Sequence, residues 1–378
     1  MIRRPTYLRV VLTESCTMAC GFCHAEGLKL PPELLEEDVL AATVTQALQP
    51  IGMGTPGMGA RRHHTPLSLD NWKTLLGGAL ASGVQKVKFL GGEPLVMRHL
   101  PALIQWVKQQ RPEADVSLIS SGAAPLERLK ACFDAGLDRA NLSIHGFELE
   151  AFARNAPSGA AEKLFAMRQA VLHHLLERGR ALKLNYVYTG PQVEADLKAL
   201  LRWATSQPVT VSVLDDLNRH DYGPETIRAV LRRLQGPADR ITLTPDPHSL
   251  PTELWTWNTG LSVEIKSTLL GEVAPWEACT QCPRKSICRE GIFALRVDPN
   301  GTLRGCVDRP DRAVSVREVV TTTPHLMADA WLNALDWIDQ PHDDRFELVY
   351  PRLQRVMGAP QAPLSADFDA ALSPGFSV

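Results

Sequence analysis

Cys16, Cys20 and Cys23 stand in CTMACGFC with C-x3-C-x2-C spacing, directly after the apolar, β-branched run LRVVLT at 8–13. Three thiolates this close can hold three irons of a cubane and leave the fourth iron open to another molecule. Zinc is the competing occupant, because Cys3His sites also use short spacings and His24 follows at once. A second group, Cys279, Cys282, Cys288 and Cys306, has C-x2-C-x5-C-x17-C spacing. Its FALRVDPNGTLRGCV reads as two short strands about an Asn-Gly turn, which returns Cys306 toward the other three thiols. Four thiolates suit zinc or an iron–sulfur cluster, and spacing does not choose between them. The eighth cysteine, Cys132 in LKACFDAGL, lies on the apolar side of a predicted helix and reads as a small buried hydrophobe.

These side chains need a scaffold. Strand-like runs occur at 8–13, 86–91, 116–120, 141–146, 182–188 and 209–215, with helical patterns at 34–48, 99–110, 126–135, 161–177 and 193–205. Strands alternating with helices predict a parallel α/β architecture with right-handed crossovers. Such folds bind ligands at the carboxyl ends of their strands. Cys16, Glu93 of LGGEP, Ser121, Ser143, His145 and Asn185 all fall at or just after predicted strand exits. Asp215, Asp216 and Asn218 follow the sixth strand, where they can hydrogen-bond sugar hydroxyls. His145 is a candidate for substrate contact or proton transfer. The glycine- and proline-rich segment 50–68 lacks periodicity and reads as a loop or lid.

The 378 residues carry 40 Lys and Arg against 42 Asp and Glu, a net charge of −2, which excludes a strongly basic nucleic-acid footprint. No apolar stretch reaches the length of a membrane span and no secretory signal is visible, so a cytoplasmic protein without a membrane or nucleic-acid partner is expected. Hydrophobic residues make up 44%, enough for a sizeable core. The expected organisation is a core over 1–236, a small cysteine-bearing domain over 237–345 with a short helix at 327–338, and a weakly ordered tail over 346–378.

CTMACGFC at the first strand exit and GGEP at the second together resemble the radical S-adenosylmethionine (SAM) superfamily. Within it, YLRVVLTESCTMACGFCHAEG (7–27) is most similar to the branch of the molybdenum-cofactor GTP 3',8-cyclases, with SSG (120–122), SIHG (143–146) and KLNYVYTG (183–190) as supporting matches over residues 7–310. The resemblance implies a partial (β/α)6 TIM-like barrel with a small C-terminal auxiliary iron–sulfur domain of the twitch or SPASM kind. It implies a [4Fe-4S] cluster on Cys16, Cys20 and Cys23 whose open iron takes the methionyl amino and carboxylate groups of SAM. Gly91, Gly92 and Glu93 would contact the methionine, with Glu93 receiving its ammonium. Phe22 would lie beside the adenine, and Ser121, Ser143 and Asn185 near the ribose or carboxylate. An auxiliary [4Fe-4S] cluster is expected on Cys279, Cys282, Cys288 and Cys306.

The departures matter. The cyclase branch has three auxiliary cysteines and a Gly-Gly terminus, whereas this chain has a fourth, Cys288, and ends in PGFSV. These differences argue for a shared scaffold with different substrate chemistry. Arg9, Arg296 and Arg304 remain substrate candidates. The expected enzyme cleaves SAM reductively, with electrons from a donor such as flavodoxin or ferredoxin. It then takes hydrogen from a small nucleoside, nucleotide or sugar-like substrate. Rearrangement, epimerisation, decarboxylation and oxidation all stay open. The alternatives are a peptide-modifying maturase, although only 15 residues precede Cys16, a GTP 3',8-cyclase-like enzyme, and a zinc-stabilised binding protein without catalysis.

Overall fold

A computed structural model describes residues 6–23, 66–179, 182–216, 222–244, 251–266, 279, 294–306 and 313–339. The expected helix at 34–48, most of the 50–68 loop, His24, Asn218, Cys282, Cys288 and the tail lie outside the described residues.

The six expected strands are present as β1 (Tyr7–Val11), β2 (Lys86–Leu90), β3 (Asp115–Ser120), β4 (Arg139–Ser143), β5 (Leu182–Tyr188) and β6 (Val209–Asp215). The helices that return the chain between them are α1 (Leu69–Ala81), α2 (Leu100–Gln110), α3 (Leu126–Asp134), α4 (Leu149–Ala153), α5 (Ala161–Glu177), α6 (Glu194–Ala204) and α7 (Pro224–Gln235). All five neighbouring pairs from β1 to β6 are parallel. This is the predicted α/β partial barrel, and its sheet is not closed.

The sheet extends beyond six strands on both sides. β7 (Arg240–Thr244), β8 (Thr252–Thr256) and β9 (Ser262–Lys266) form an antiparallel meander whose last strand runs parallel to β6. β10 (Leu295–Val297) runs parallel to β1 and leads through β11 (Thr302–Arg304) to β12 (Ala313–Ser315). The β10–β11 hairpin was expected; the meander was not. Gly236, where the sequence suggests a boundary, caps α7, and the strands after it hydrogen-bond into the same sheet.

Alternation decides the two faces. Leu8 and Val10, Val87 and Phe89, Val116 and Leu118, Leu184 and Tyr186, Val211 and Val213, Leu295 and Val297 join one apolar core with the helices, including Trp72 of α1 and Ile104 of α2. Because successive strand residues point to opposite faces, the residues between them lie on the inner, concave face of the partial barrel, where Ser117, Ser212 and Arg296 are buried. α1 starts where the Ser68 hydroxyl accepts from the Asn71 N–H at 3.2 Å. Cys132 is buried in the core as expected, and burial pushes its thiol up to about 12. No helix among the described residues is long and apolar enough to cross a membrane.

Candidate active site

The cysteine loop leaves β1 and lies across the exit of β2. The Leu12 N–H still donates to Leu90 O at 2.9 Å, after which Gly92 N–H donates to Thr13 O at 2.7 Å and Glu93 N–H to Ser15 O at 2.9 Å. The two glycines are required by this crossing. Gly91 has φ +149°, and a Cβ there would sit 2.5 Å from Thr13 O; at Gly92 it would sit 2.1 Å from Ser15 O. Gly91 and Gly92, expected to contact the methionine of SAM, here lie against the backbone of the cysteine loop. Within the loop Cys16 is exposed, while Cys20 and Cys23 are half-buried. The Met18 N–H donates to Cys16 Sγ at 3.3 Å, and the Cys23 N–H to Cys20 O at 3.3 Å.

Glu93 is wholly buried. Its carboxylate accepts from the Ser120 hydroxyl at 2.8 Å, the Ser121 hydroxyl at 2.6 Å, the Ser121 N–H at 2.9 Å and the Leu95 N–H at 3.1 Å. Burial raises its proton affinity, and the four hydrogen bonds oppose that. Glu93 thus ties the exit of β2 to that of β3. Ser121, expected near SAM, spends its hydroxyl and its N–H on this tie.

His145 follows β4, half-buried, with its ring 5.4 Å from that of Phe22 between centroids. Its Nδ1 is enclosed without a hydrogen-bond partner among the described residues. Burial, then the charge of Arg168, pushes the imidazole down to about 4, so the ring is neutral near pH 7. Two charged residues fix the turn that carries it. Buried Arg168 of α5 donates to Gly146 O and, at 2.8 Å, to Phe147 O. Asp196 of α6 accepts from the N–H groups of Phe147 and Glu148 and from the Tyr186 hydroxyl at 3.0 Å. Neither Arg168 nor Asp196 was expected from sequence.

Register places Ser143 beside Asn185, Asn185 beside Ser212, and Ser212 beside Glu264, a polar row across β4, β5, β6 and β9 on the concave face. Lys183 Nζ bonds both oxygens of Glu264 at 2.7 Å. Asp215 ends β6 opposite Tyr188, and Asp216 after it is buried.

A second row lies at the other side of the same face. Lys88 pairs with Arg9, Arg9 with Arg296, and Arg296 with Arg304, on four adjacent strands. The Arg296 guanidinium donates to Gly305 O at 3.0 Å, next to Cys306. Burial lowers the Arg304 pKa, and Asp298 and Glu14 oppose the shift. Asp298 also receives the Asn300 and Thr302 N–H groups, each at 2.9 Å, which shapes the Asn-Gly turn. Cys279 and Cys306 are both half-buried against the main core.

The three-cysteine loop sits at the carboxyl end of a parallel sheet, and the model of the Radical SAM superfamily matches residues 10–204, just over half the chain. The chain belongs to the radical SAM superfamily. It is similar to proteins named GTP 3',8-cyclase. "GTP 3',8-cyclase" of Mycobacterium ulcerans (strain Agy99) is 28% identical over 302 residues, 76% of this chain and 73% of that one. "GTP 3',8-cyclase 2" of Mycobacterium bovis (strain ATCC BAA-935 / AF2122/97) is 25% identical over 355 residues, 88% and 87% of the two chains. Among solved structures, Streptococcus suis SuiB bound to S-adenosylmethionine superposes with a TM-score of 0.51 at 12% identity, over 86% of this chain and 66% of SuiB, just under two thirds of its length. That likeness is one of fold.

As a radical SAM enzyme the chain uses SAM and a [4Fe-4S] cluster. The loop fits the cluster by its donors: three thiols within eight residues, one exposed and two half-buried, with a backbone N–H already on one sulfur. Among the described residues no three His, Cys, Asp or Glu side chains converge as a single-ion site. Thiolates that each take a different corner of a cubane need no such convergence.

Proposed function

We propose that this enzyme cleaves SAM reductively and takes a hydrogen atom from a small anionic substrate of nucleotide or phosphorylated-sugar type. The reading is carried by the cation row Lys88, Arg9, Arg296 and Arg304. Like charges directly opposite on neighbouring strands are unfavourable for the sheet by themselves. Arg304 also lies 3.6 Å from Asp298, and an anion held along the row would add charge-assisted hydrogen bonds, for which guanidinium forks are well shaped. The relatives named GTP 3',8-cyclase support a phosphorylated nucleoside.

Cys16, Cys20 and Cys23 would hold the cluster, which would supply the electron for reductive cleavage of SAM. The protein's task is position and exclusion of water. In this reading Phe22, Ser143 and Asn185 hold the nucleoside end of SAM. The backbone of Gly91 and Gly92 fixes the loop from which its methionyl end is bound. Glu93 serves by pinning that backbone to β3. His145, neutral and half-buried, offers a ring surface beside Phe22. Asp215, Asp216 and Asn218 are assigned to substrate hydroxyls.

An auxiliary [4Fe-4S] cluster is assigned to Cys279, Cys282, Cys288 and Cys306 within a 237–345 unit, followed by the 346–378 tail. Arg296 would join that unit to the substrate, because its guanidinium already holds the backbone beside Cys306. A flavodoxin- or ferredoxin-type protein in the cytoplasm is the proposed electron source.

The test is anaerobic turnover with SAM and dithionite. A deuterated phosphorylated nucleoside or sugar should transfer label into 5'-deoxyadenosine. Label arriving only from a peptide, with phosphorylated small molecules inert, would overturn the substrate class while leaving the radical chemistry intact. About four irons per chain where eight are expected would remove the auxiliary cluster.

A further inference from the structure

The cysteine loop has a second support, on the side away from the glycine pair. Asn155 follows α4, its N–H bonded to Phe152 O at 2.9 Å. Its backbone carbonyl accepts from the Ala19 N–H at 2.8 Å and lies 4.0 Å from Cys20 Sγ. Its side-chain amide donates to His145 O at 2.9 Å. One residue therefore joins the cysteine loop to the exit of β4. A separate apolar contact follows the same line: Met18 packs with Ala123, Phe152 and Leu164 in a small cluster of its own, with Cys20 and Phe165 at its edge.

The platform behind Asn155 is stiff. Gly146 has φ +115°, and a Cβ there would lie 2.3 Å from Ala151 C and Phe152 N, so the β4 turn and α4 touch backbone to backbone. Arg168 and Asp196 hold that turn from two other helices. Its guanidinium also lies 5.1 and 4.4 Å from the rings of Phe152 and Phe165. A shift of α4 is thus resisted from three directions, and Asn155 is the point where the resistance reaches Ala19 and Cys20.

We propose that Asn155 is a positioning residue for the cysteine loop, setting where Cys20 and Phe22 stand relative to the β4 exit. This deepens the functional reading above, and it rests on that reading only where SAM is concerned. The side-chain amide fixes the main chain at 155, and the main-chain carbonyl fixes Ala19. Removing the amide frees the carbonyl to drift, and the loop loses its second anchor.

Asn155→Leu keeps the size and deletes the donor, whereas Asn155→Ser keeps a short donor. In the metal-free full chain, limited proteolysis within 13–23 should run about tenfold faster in Asn155→Leu than in the parent. That factor corresponds to one lost hydrogen bond. Cleavage elsewhere should be unchanged, and Asn155→Ser should recover part of the protection. Equal cleavage of the 13–23 segment in parent and Asn155→Leu overturns the proposal. In the reconstituted enzyme the reduced cluster's EPR spectrum should broaden, and the SAM titration midpoint should rise about tenfold. A spectrum and midpoint identical to the parent's also overturn it. If the parent's cluster ignores SAM altogether, the radical SAM reading of the site fails, and the proteolysis comparison still decides the brace. Should Asn155→Leu not fold, Asn155→Ala enters the same two measurements.

Discussion

At the scale of single residues, Glu93 and His145 test the site without any cofactor present. Glu93→Ala leaves two hydroxyls and two N–H groups facing a buried void, which costs about 3 kcal/mol or more. Urea unfolding of the metal-free chain should show that loss, with Glu93→Gln retaining part of the stability. If the carboxylate only met an ammonium of SAM, the metal-free chain would not notice its removal. His145 gives a pH signature. Its folded pKa of about 4 lies below the 6.5 of the unfolded imidazole, so the unfolded chain binds the extra proton between those values. Stability present above pH 6.5 is therefore lost as pH falls toward 4, by at most about 1.4 kcal/mol per pH unit. Arg168 is the charge that acts on the ring, and Phe22 and Asn155 touch it or its backbone. His145→Gln should flatten that slope in urea titrations across the window; an unchanged slope assigns the loss to other groups. The cysteine spacing and GGEP were legible because they are local. Asn155 was not, because its partners Ala19 and Cys20 lie about 135 residues away, and an Asn after a short helix reads as an ordinary cap.

At the scale of elements, the strands read correctly were those whose core-facing positions are mostly apolar, such as Leu184, Tyr186 and Tyr188 on β5. The meander escaped because its pattern is broken by charge. TELWT of β8 turns Glu253 and Trp255 toward the core, and Glu253, 3% exposed, is sustained by Arg228 of α7, 2% exposed. Arg228 Nε lies 3.1 and 3.2 Å from the two carboxylate oxygens, and the Trp255 indole N–H donates to one of them at 3.0 Å. Such a pair is invisible to a hydrophobicity count, since each partner alone marks its element as solvent-facing. Breaking it is the informative change. Arg228→Leu strands a buried carboxylate, and denaturation should show a loss of about 3–5 kcal/mol. Combining Arg228→Leu with Glu253→Leu should restore most of it, since the isolated charge is then gone. If the double variant is no better than the single one, the pair does not act as a unit.

At the scale of the whole molecule, the concave face is divided by charge. Four cations stand in register over β2, β1, β10 and β11, while Ser143, Asn185, Ser212 and the Lys183–Glu264 pair span β4 to β9. The cysteine loop crosses from the β1 exit over β2, beside the cationic side and braced from α4. Under the proposed function, a substrate with an anionic end and a hydroxyl-bearing end would place its anionic end over the cation row, which is a positional rule for which carbon meets the radical. Arg9 is central to the row, between Lys88 and Arg296. Replacing it with Gln removes a charge while keeping hydrogen-bonding length. The KM for a phosphorylated substrate should then rise about tenfold to a hundredfold, the range for a lost charged hydrogen bond. The rise should shrink as salt approaches 1 M, where screening has already weakened the row. The SAM-dependent change in the cluster spectrum should be retained, because Arg9 faces the substrate in this arrangement. A KM that ignores both the substitution and the salt would detach the cation row from substrate recognition and leave it a structural feature of the sheet.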